Sequence, residues 1–337
     1  MTEHIVVVGA GPAGLAVGYY LQRAGLPFRI VERGAVGQTW RQQYDGLRLH
    51  TLKGVSALPG LPMPDSYPDF PSADQVVRYL ERYASHFRLP ITSNVALRHA
   101  SYARGEWKLE TTAGPLRATV LVMTTGIWSR PHRPTLGGED EFGGAILHSA
   151  GYRNARPFLG QRVLVVGVGN SGAEIAVQLA RAGVEVGVVE EQGAAFVRRP
   201  RSALAMRLSA WAGRALPRGV MGFLLERTRP DFSHLGLPPP PGSAVDAYPV
   251  VGLDLPEMVA AGRVTVYPQI ERLVASGVRF AGGLERPFDA LILATGFRPA
   301  IEVVGQEVAL DERGWPLRDG YRSTRTPALY LVGYTYP

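Results

Sequence analysis

Three glycines near the start of the sequence have the spacing with which a backbone turn binds phosphate. They are Gly9, Gly11 and Gly14, and they follow an apolar run, residues 5–8, that predicts a buried strand. Gly9 permits a tight turn, Gly11 lets the backbone approach a pyrophosphate, and Gly14 lets the following helix pack close to the strand. The free N–H groups and positive dipole end of that helix favour an anion. The pattern therefore predicts a site for the pyrophosphate of a dinucleotide.

The elements around this turn have the order that a dinucleotide-binding unit requires. Residues 15–23 predict a helix that Gly25 ends in the left-handed conformation, and residues 28–31 predict a second strand. Glu32 ends that strand, where a carboxylate can accept hydrogen bonds from ribose hydroxyls. A single motif of this kind is weak evidence by itself.

The whole motif occurs twice. Residues 164–191 repeat residues 6–33 without a gap, at an offset of 158. The repeat reproduces the glycines and the carboxylate, as Gly167, Gly169, Gly172 and Glu190. A chance glycine turn would not copy its helix length, its cap and its terminal carboxylate. We therefore predict two dinucleotide sites, and the alternative is two Rossmann-like halves of which one has lost its ligand.

Two dinucleotide sites in one chain predict a redox relay. FAD would stay bound at the first site, and NADH or NADPH would bind and leave at the second. The sequence has no cysteine, which excludes disulfide bonds, thiolate metal sites and the dithiol chemistry of flavin-dependent disulfide reductases. His132, His148 and His234 lack partners at ligand spacing, so we predict no metal site.

The formal net charge of +7 would suit an acidic partner or a nucleic acid. The basic residues are almost all arginine and are spread along the chain, so we interpret the charge as a compositional bias and expect no nucleic-acid partner.

No run approaches the ~20 apolar residues needed to span a bilayer, and residues 1–4 lead directly into a strand. We expect a cytoplasmic enzyme that acts on a small molecule and O2, with a homodimer as one candidate assembly.

A longer pattern before the second glycine turn resembles the identifying pattern of the flavin-containing monooxygenase family. It reads Phe142-x-Gly144-x-x-x-His148-x-x-x-Tyr152-Arg153. The related Baeyer–Villiger enzymes have Trp in place of Tyr152, so that branch is disfavoured. Three further segments are most similar to the plant auxin-forming branch and to short bacterial relatives, namely residues 47–53, 58–62 and 249–254.

The motifs and the resemblance together predict an α/β fold with two Rossmann-like dinucleotide-binding domains, in which the NAD(P)-binding domain is inserted in the FAD-binding domain. The FAD-binding domain is expected to comprise residues 1–150 and a return segment, residues 287–337, and the NAD(P)-binding domain residues 151–286. Each would be a parallel sheet flanked by helices, with its ligand at the carboxyl ends of the strands and the active site in the cleft between domains.

The resemblance also implies contacts outside the glycine turns. The segment 37–40 resembles a loop near the flavin, and the segments 124–126 and 294–297 resemble the two crossings between the domains. Ser171 has no catalytic partner in the sequence and is expected to hydrogen-bond a phosphate. The predicted contacts of the two dinucleotides are Gly9, Gly11, Pro12, Ala13, Gly14, Glu32, Arg33, Gln38, Thr39, Trp40, Leu47, His50, Val95, Thr125, Gly126, Gly167, Gly169, Asn170, Ser171, Gly172, Glu190, Arg198 and Thr295.

The candidate catalytic residues are His50, Lys53 and His148. The resemblance places His50 where many family members have an active-site Asn, with Lys53 nearby. A neutral His50 would donate a hydrogen bond to the reacting group or to the nicotinamide ribose, and the alternative is a histidine that only packs beside the flavin. His148 is expected to hydrogen-bond near the nicotinamide without transferring a proton.

The residues after the second strand of the repeat predict the coenzyme. Residues 190–192 read Glu-Glu-Gln, and a carboxylate accepts from a 2′-hydroxyl but repels a 2′-phosphate. We therefore expect NADH to be used at least as well as NADPH, unless Arg198, Arg199 and Arg201 fold back.

Residues 198–230 combine arginines with apolar residues, which suits a membrane-surface helix, a substrate entrance, or a helical pair interrupted at Pro217 that packs on the domain. We favour the packed pair.

The motifs and the resemblance imply a monooxygenase mechanism. NAD(P)H would reduce FAD, the reduced flavin would form a C4a-hydroperoxide with O2, and one oxygen would pass to a sulfur or nitrogen nucleophile or to an activated carbonyl. Two rival hypotheses are an NAD(P)H oxidase or flavin reductase that releases hydrogen peroxide and a non-catalytic redox sensor that binds dinucleotides. Family members continue after the last strand, residues 329–332, with a loop and a helix that contact the flavin, and this sequence ends at Pro337 before both. The absence of these contacts would favour the oxidase.

Overall fold

The structure is a computed structural model that describes residues 2–199, 216–243 and 246–334, together with residues 202, 204 and 206. The chain forms two compact units. The first unit comprises Met1–Pro131 and Phe297–Pro337, and the second unit comprises His132–Gly296.

The elements follow one another along the chain in three groups. The first part of the first unit contains β1 (Thr2–Val8), α1 (Pro12–Arg23), β2 (Phe28–Val31), α2 (Gln38–Arg41), α3 (Lys53–Ser56), α4 (Ala73–His86), β3 (Ile91–Thr92), β4 (Leu97–Ala103), β5 (Glu106–Thr111), β6 (Gly114–Met123) and β7 (Arg130–Pro131). The second unit contains β8 (Ala145–His148), β9 (Arg162–Val166), α5 (Asn170–Arg181), β10 (Glu185–Val189), β11 (Ala195–Val197), α6 (Arg218–Thr228), β12 (Pro249–Val251), α7 (Asp254–Ala260), β13 (Val264–Tyr267), β14 (Ile270–Val274), β15 (Gly277–Phe280), β16 (Glu285–Pro287) and β17 (Ala290–Leu293). The return segment adds β18 (Phe297–Arg298), β19 (Arg318–Asp319), β20 (Arg322–Ser323) and β21 (Leu329–Leu331).

The first unit is built on a mixed sheet in the order β19-β20-β21-β6-β1-β2-β3, with β5 and then β4 joined to β6. Strands β3, β2, β1, β6 and β21 run parallel. In β1, Val6 and Val8 contribute to one apolar cluster, and Ile5 and Val7 to another. Because both faces of this strand are covered, it reads as a continuous apolar run, as a central parallel strand should.

The helix α4 begins with a capping box. Ser72 accepts from the N–H of Gln75, and the Gln75 side chain accepts in return from the N–H of Ser72. On its buried face, the Tyr79 hydroxyl accepts from the N–H of Leu58 at 2.7 Å and donates to the carbonyl of Leu61 at 2.6 Å. The helix thereby holds the loop that follows α3.

The second unit is built on a parallel five-stranded sheet in the order β13-β10-β9-β17-β8. A three-stranded antiparallel sheet, β14-β15-β16, and the parallel pair β11-β12 complete the unit. Both units therefore contain strand, glycine turn, helix and parallel strand in succession, and the predicted α/β class is confirmed.

The bounds of the two units differ from the predicted domain boundaries after residues 150 and 286. The compact second unit starts at residue 132 and ends at residue 296. The physical reason is that β17 pairs with both β9 and β8, so β8 and β17 belong to the second sheet. This pairing joins strands that are distant in the chain, so residue types near the predicted boundaries do not indicate it.

Part of the predicted helical pair in residues 198–230 lies outside the described residues, including Arg201 and Trp211. The second helix of the pair is α6, which begins directly after Pro217. Within the described ranges, we find no helix with the length and apolar character required to cross a membrane.

Candidate dinucleotide-binding sites

The first glycine turn lies between β1 and α1 and is held by the strands on both sides. Gly9 has φ +111°, and its N–H donates to the carbonyl of Val31 at 2.8 Å. A Cβ at Gly9 would lie 2.8 Å from the Thr124 carbonyl oxygen. Both the left-handed conformation and the closeness of the β6 end therefore require glycine at this position.

The other two glycines of this turn differ in what surrounds them. A Cβ at Gly14 would lie 1.9 Å from the Gly9 carbonyl oxygen, so Gly14 is required by the close packing of α1 on β1. A Cβ at Gly11 would meet no protein atom within 4 Å. Open space at Gly11 is what a ligand approaching the backbone needs.

The N-terminus of α1, which attracts negative charge, is not capped by a side chain. Its N-cap is Gly11, which makes no side-chain cap, and its first turn contains no acidic residue. By contrast, α4 is capped by Ser72 and carries Asp74 in its first turn. The N–H groups of α1 are thus available to an external anion such as a pyrophosphate.

Glu32 ties the turn to the end of β2. Glu32 is 7% exposed, and its carboxylate accepts from the N–H of Ala10 at 2.7 Å and from the N–H of Gly34 at 2.9 Å. A carboxylate offers about four acceptor positions, so two remain for ribose hydroxyls. The prediction that Glu32 contacts the ribose stays a prediction, and its role in fixing the turn is an addition from the structure.

The second glycine turn, between β9 and α5, reproduces the first almost contact for contact. Gly167 has φ +95°, and its N–H donates to the carbonyl of Val189 at 2.9 Å. A Cβ at Gly172 would lie 1.9 Å from the Gly167 carbonyl oxygen, whereas a Cβ at Gly169 would meet nothing within 4 Å. The start of α5 likewise has a glycine N-cap and no acidic residue in its first turn.

Glu190 repeats the clamp made by Glu32. Its carboxylate accepts from the N–H of Val168 at 2.6 Å and from the N–H of Gln192 at 2.8 Å. Burial raises the pKa of Glu190 above its ordinary value, and these backbone hydrogen bonds oppose the rise. The repeat seen in the sequence therefore extends to the hydrogen bonds of the folded turns.

The predicted flavin loop lies against the first turn. The N–H of Gly37, at φ +71°, donates to the carbonyl of Ala10 at 3.1 Å, and α2 starts at the next residue, Gln38. The Gln38 side chain accepts from the N–H of Ala35 at 3.3 Å. The structure thus brings the predicted loop and the predicted turn together within the first unit.

The segment after β6 closes the turn from the other side. The Thr124 hydroxyl donates to the carbonyl of Val8 at 2.7 Å, and the Thr125 hydroxyl donates to the carbonyl of Ala300 at 3.2 Å and also bonds the Tyr334 hydroxyl. Burial raises the pKa of Tyr334 to about 12. Thr124 belongs to the segment 124–126 that the resemblance indicated, but it was not among the predicted contacts of the dinucleotides.

His148 uses both of its ring nitrogens within the second unit. Nδ1 accepts from the N–H of Ala150 at 3.1 Å, which leaves the proton on Nε2, and Nε2 lies 3.0 Å from the carbonyl oxygen of Gly296. Burial lowers the pKa of His148, which favours this neutral form. The arrangement joins the end of β8 to the segment after β17. The role of His148 near the nicotinamide stays a prediction.

Lys53 is likewise engaged by backbone groups. Its ammonium donates to the carbonyls of Asp65 at 2.8 Å and Tyr67 at 2.6 Å. These contacts fasten the loop between α3 and α4 and supply a structural reason for a lysine at this position. His50 lies half-buried in the bend that precedes α3. The catalytic roles of both residues stay predictions.

The remaining predicted contacts fall into three groups. Val95 lies beside the first turn, since its N–H donates to the Glu32 carbonyl at 2.8 Å. Leu47 lies beside the start of α4, since its carbonyl accepts from the N–H of Ala73 at 3.0 Å. The others that lie on or next to the elements already described are Pro12, Ala13, Thr39, Trp40, Gly126, Ser171 and Thr295. Arg33 and Arg198 are exposed.

Asn170 has a contact that the sequence did not indicate. Its amide donates to the carbonyl of Pro249 at 2.9 Å and accepts from the N–H of Val251 at 2.8 Å. The side chain therefore docks β12 beside the second glycine turn, as a neighbouring strand would. Gly333 is a second residue near a glycine turn that the sequence did not indicate. A Cβ at Gly333 would lie 2.9 Å from the side chain of Ala13, so this position packs closely against the start of α1.

The pattern of residues 142–153 has a packing explanation inside the second unit. Phe142 belongs to the apolar cluster of this unit, and a Cβ at Gly144 would lie 2.5 Å from the Asp289 carbonyl oxygen. Tyr152 is buried, and its ring stacks on Phe158 at 5.9 Å. The spacing of the pattern thus reflects how β8 is held at the edge of the second sheet.

Comparison with known proteins agrees with this geometry. Residues 6–221 match the family described as pyridine nucleotide-disulphide oxidoreductase. The chain is 34% identical over 312 residues to the indole-3-pyruvate monooxygenase YUCCA1 of Oryza sativa subsp. japonica, covering 87% of this chain and 76% of the relative. It is 32% identical over 363 residues to the probable indole-3-pyruvate monooxygenase YUCCA1 of Arabidopsis thaliana, covering 99% and 87%. The solved structure of a flavin-containing monooxygenase from Stenotrophomonas maltophilia is similar with a TM-score of 0.77 and 26% identity, covering 99% and 91%.

Proposed function

Because the chain belongs to the flavin-containing monooxygenase family, we propose that it transfers electrons from NAD(P)H to FAD and inserts one oxygen atom of O2 into a small organic substrate. The chain is a flavin monooxygenase with FAD and NAD(P)H as cofactors. The observation that carries the assignment is the glycine turn with its carboxylate clamp, which occurs once in each unit.

The residues of the first unit fit the adenosine and pyrophosphate part of FAD. Gly11 leaves space above an uncapped helix start, and Glu32 retains acceptor positions for ribose hydroxyls. Gly37 and α2 lie beside the same turn. The flavin, when bound, supplies the oxygen chemistry, since it takes up a hydride from NAD(P)H and reacts with O2. The chain itself binds and orients the dinucleotide.

The residues of the second unit fit a nicotinamide dinucleotide by the same criteria. Gly169 leaves open space at the start of α5, and Glu190 holds the turn. The chain has no cysteine, so it cannot run the thiol chemistry in the name of the matching family. Electrons must therefore leave by another acceptor, and O2 is the acceptor that a monooxygenase uses.

The overall reaction balances without further co-reactants. NAD(P)H, a proton, O2 and the substrate give NAD(P)⁺, water and the oxygenated substrate. The described site residues include few side chains able to move protons, because Lys53 and His148 donate to backbone carbonyls. The chain's contribution is thus orientation and exclusion of water rather than acid–base catalysis.

Two substrate classes are compatible with this chemistry: soft sulfur or nitrogen nucleophiles and activated carbonyl compounds. The relatives above are named for indole-3-pyruvate, a 2-oxo acid, which has an activated carbonyl. Their similarity over most of this chain supports a carbonyl compound of this class as the first substrate to test.

The contacts of the second unit support NADH as a coenzyme at least as good as NADPH. Glu190 and the exposed Glu191 follow β10, where a 2′-phosphate would lie. At a partly exposed site the repulsion is about 1–2 kcal/mol, or about tenfold in affinity. Arg199, one of the arginines considered as partners of a 2′-phosphate, pairs with Glu174 at 3.5 Å.

Steady-state kinetics with both coenzymes tests this preference. We expect kcat/KM for NADH to equal or exceed that for NADPH, and Glu191→Arg to shift the ratio towards NADPH about tenfold. Glu185→Arg, at the exposed start of β10, is the matched control and should leave the ratio unchanged. A tenfold preference of the wild type for NADPH contradicts the assignment.

The function itself is tested by accounting for oxygen. The FAD-loaded protein is mixed with NADH, isotope-labelled O2 and one of three probes: indole-3-pyruvate, a thioether or a tertiary amine. We expect labelled product with at least one probe and less hydrogen peroxide than NADH consumed. Equimolar hydrogen peroxide with every probe would establish an oxidase, and a bound flavin that NADH does not reduce would establish a non-catalytic protein.

A further inference from the structure

The net positive charge of the protein is concentrated in one segment. Residues 198–229, which we call the cationic segment, contain eight arginines and one acidic residue, Glu226. The rest of the chain contains 28 basic and 28 acidic residues, so its formal charge is zero. Arginines occur along the whole chain, but the net charge of +7 comes from this segment alone. A compositional bias towards arginine therefore does not explain where the net charge lies.

The same segment exposes large apolar side chains. On α6, the side chains of Val220, Phe223 and Leu224 are 47%, 57% and 45% exposed. This spacing of i, i+3 and i+4 places them on one face of the helix, the arrangement that normally packs against a core. Leu204, in the same segment, is 67% exposed. The apolar face of α6 is thus exposed to solvent, although its spacing is typical of a helix face that packs against a core.

A cation lies within this apolar face. Arg227 follows Val220 by seven residues, so it lies on the same face, and its guanidinium carbon is 5.2 Å from the ring centroid of Phe223. The long alkyl part of arginine can lie along an apolar surface while its charged end reaches a polar layer. The face therefore combines apolar insertion with positive charge.

We propose that α6, in this segment, binds the surface of a membrane that contains anionic lipids, through the face that carries Val220, Phe223 and Leu224. Apolar side chains beside arginines match the two layers of such a surface, the acyl boundary and the anionic headgroups. A nucleic acid would use the charge, but its phosphates offer nothing to Val220, Phe223 and Leu224. A second copy of the chain would bring two segments of the same sign together, which is unfavourable.

The binding would be peripheral and salt-sensitive. Within the described parts of the chain no helix qualifies as a membrane span. Arg199 pairs with Glu174 outside the segment, which offsets part of its charge. The remaining attraction acts over about one Debye length, roughly 10 Å at 0.1 M salt, so added salt weakens it.

Vesicle flotation of the FAD-loaded protein tests the proposal. We expect binding to vesicles of phosphatidylcholine mixed with phosphatidylserine, little binding to phosphatidylcholine alone, and release by salt. The variant Val220→Ser/Phe223→Ser/Leu224→Ser should lower the partition coefficient about tenfold or more, because these side chains are exposed before binding. Arg227→Gln should lower it about fivefold.

The matched control is Leu159→Ser, since Leu159 is 57% exposed in the same unit but lies outside the cationic segment. It should bind vesicles as the wild type does, and retained FAD absorbance and urea unfolding show that every variant is folded. The proposal is overturned if mixed vesicles are not bound, or if the triple variant binds them as well as the wild type. Binding of duplex DNA without vesicles, or a dimer that the triple variant abolishes, also overturns it.

Discussion

Replacing Gly11 by alanine should weaken FAD binding while leaving the first unit folded. The methyl group would enter space that no protein atom occupies within 4 Å, and Gly11 has φ −84°, which alanine adopts without strain. The expected change in the free energy of unfolding of the FAD-free protein is therefore within about 0.5 kcal/mol. A stability change of this size cannot by itself cause loss of the ligand.

The effect on FAD binding follows from the same open space. If the pyrophosphate lies over the turn, the added methyl group overlaps it. Overpacking by a methyl group costs about 1–3 kcal/mol, so the FAD dissociation constant should rise about 5- to 150-fold. Gly169→Ala, at φ −77° with the same open surroundings, should weaken NADH binding by a similar factor and leave FAD bound.

Gly14→Ala serves as the contrast, because its Cβ would lie 1.9 Å from the Gly9 carbonyl oxygen. The helix α1 would have to move away from β1, and we expect a loss of at least about 3 kcal/mol in the free energy of unfolding. Comparison of Gly11→Ala with Gly14→Ala thus distinguishes a methyl group that contacts the ligand from one that contacts the protein.

The assay has two readouts for each variant. FAD dissociation constants are measured by fluorescence titration of the deflavinated protein, and the free energy of unfolding is measured in urea without FAD. The reasoning is refuted if Gly11→Ala binds FAD within twofold of the wild type, since the pyrophosphate would then lie elsewhere. A Gly11→Ala variant as destabilised as Gly14→Ala would show that the open space does not exist in solution.

Three further outcomes are expected from contacts outside the turns. Asp289, held by Arg162 at 2.8 Å, has its pKa lowered from 3.8 to about 2, so its contribution to stability is full above pH 4 and is lost as the pH falls towards 2. Asp289→Asn should therefore show a flatter loss of stability over that range in urea unfolding at each pH, and an unchanged slope contradicts this. Tyr79→Phe should destabilise the first unit by about 1–3 kcal/mol in urea unfolding, because it leaves the N–H of Leu58 without its partner, and a change below about 0.5 kcal/mol refutes the assignment. The pKa of His148 is lowered below its ordinary value of 6.5, so the neutral form stabilises the second unit above that pH and stability falls as the pH drops below it. His148→Ala should weaken this dependence in thermal unfolding, and a variant with the wild-type pH profile would show that another group titrates.

The parts of the protein that the sequence predicted well are local in the chain. Strand, turn, helix and carboxylate of each dinucleotide motif lie within 28 residues, 6–33 and 164–191. The chemistry of such a turn depends on backbone conformation and on near neighbours, so the positions of Gly9 and Gly167 at positive φ follow from residue type. The ungapped repeat then distinguished two sites from one accidental motif.

Contacts between distant segments could not be predicted in this way. Lys53 looks like a catalytic candidate in the sequence, but its ammonium is held by carbonyls 12 and 14 residues away. His148 has the same appearance, and its partner Gly296 is 148 residues away. A residue type states which hydrogen bonds a side chain can make, and only the fold determines which partners reach it.

By itself the sequence therefore determined the α/β class, the two glycine turns and the absence of thiol chemistry, because each depends on residue identity and short spacing. The tertiary structure alone decided where the units divide, since β17 pairs with both β8 and β9, which are distant from it in the chain. It also decided that Val220, Phe223 and Leu224 face solvent. Apolar spacing predicts a face on a helix, but burial of that face depends on whether another part of the molecule covers it.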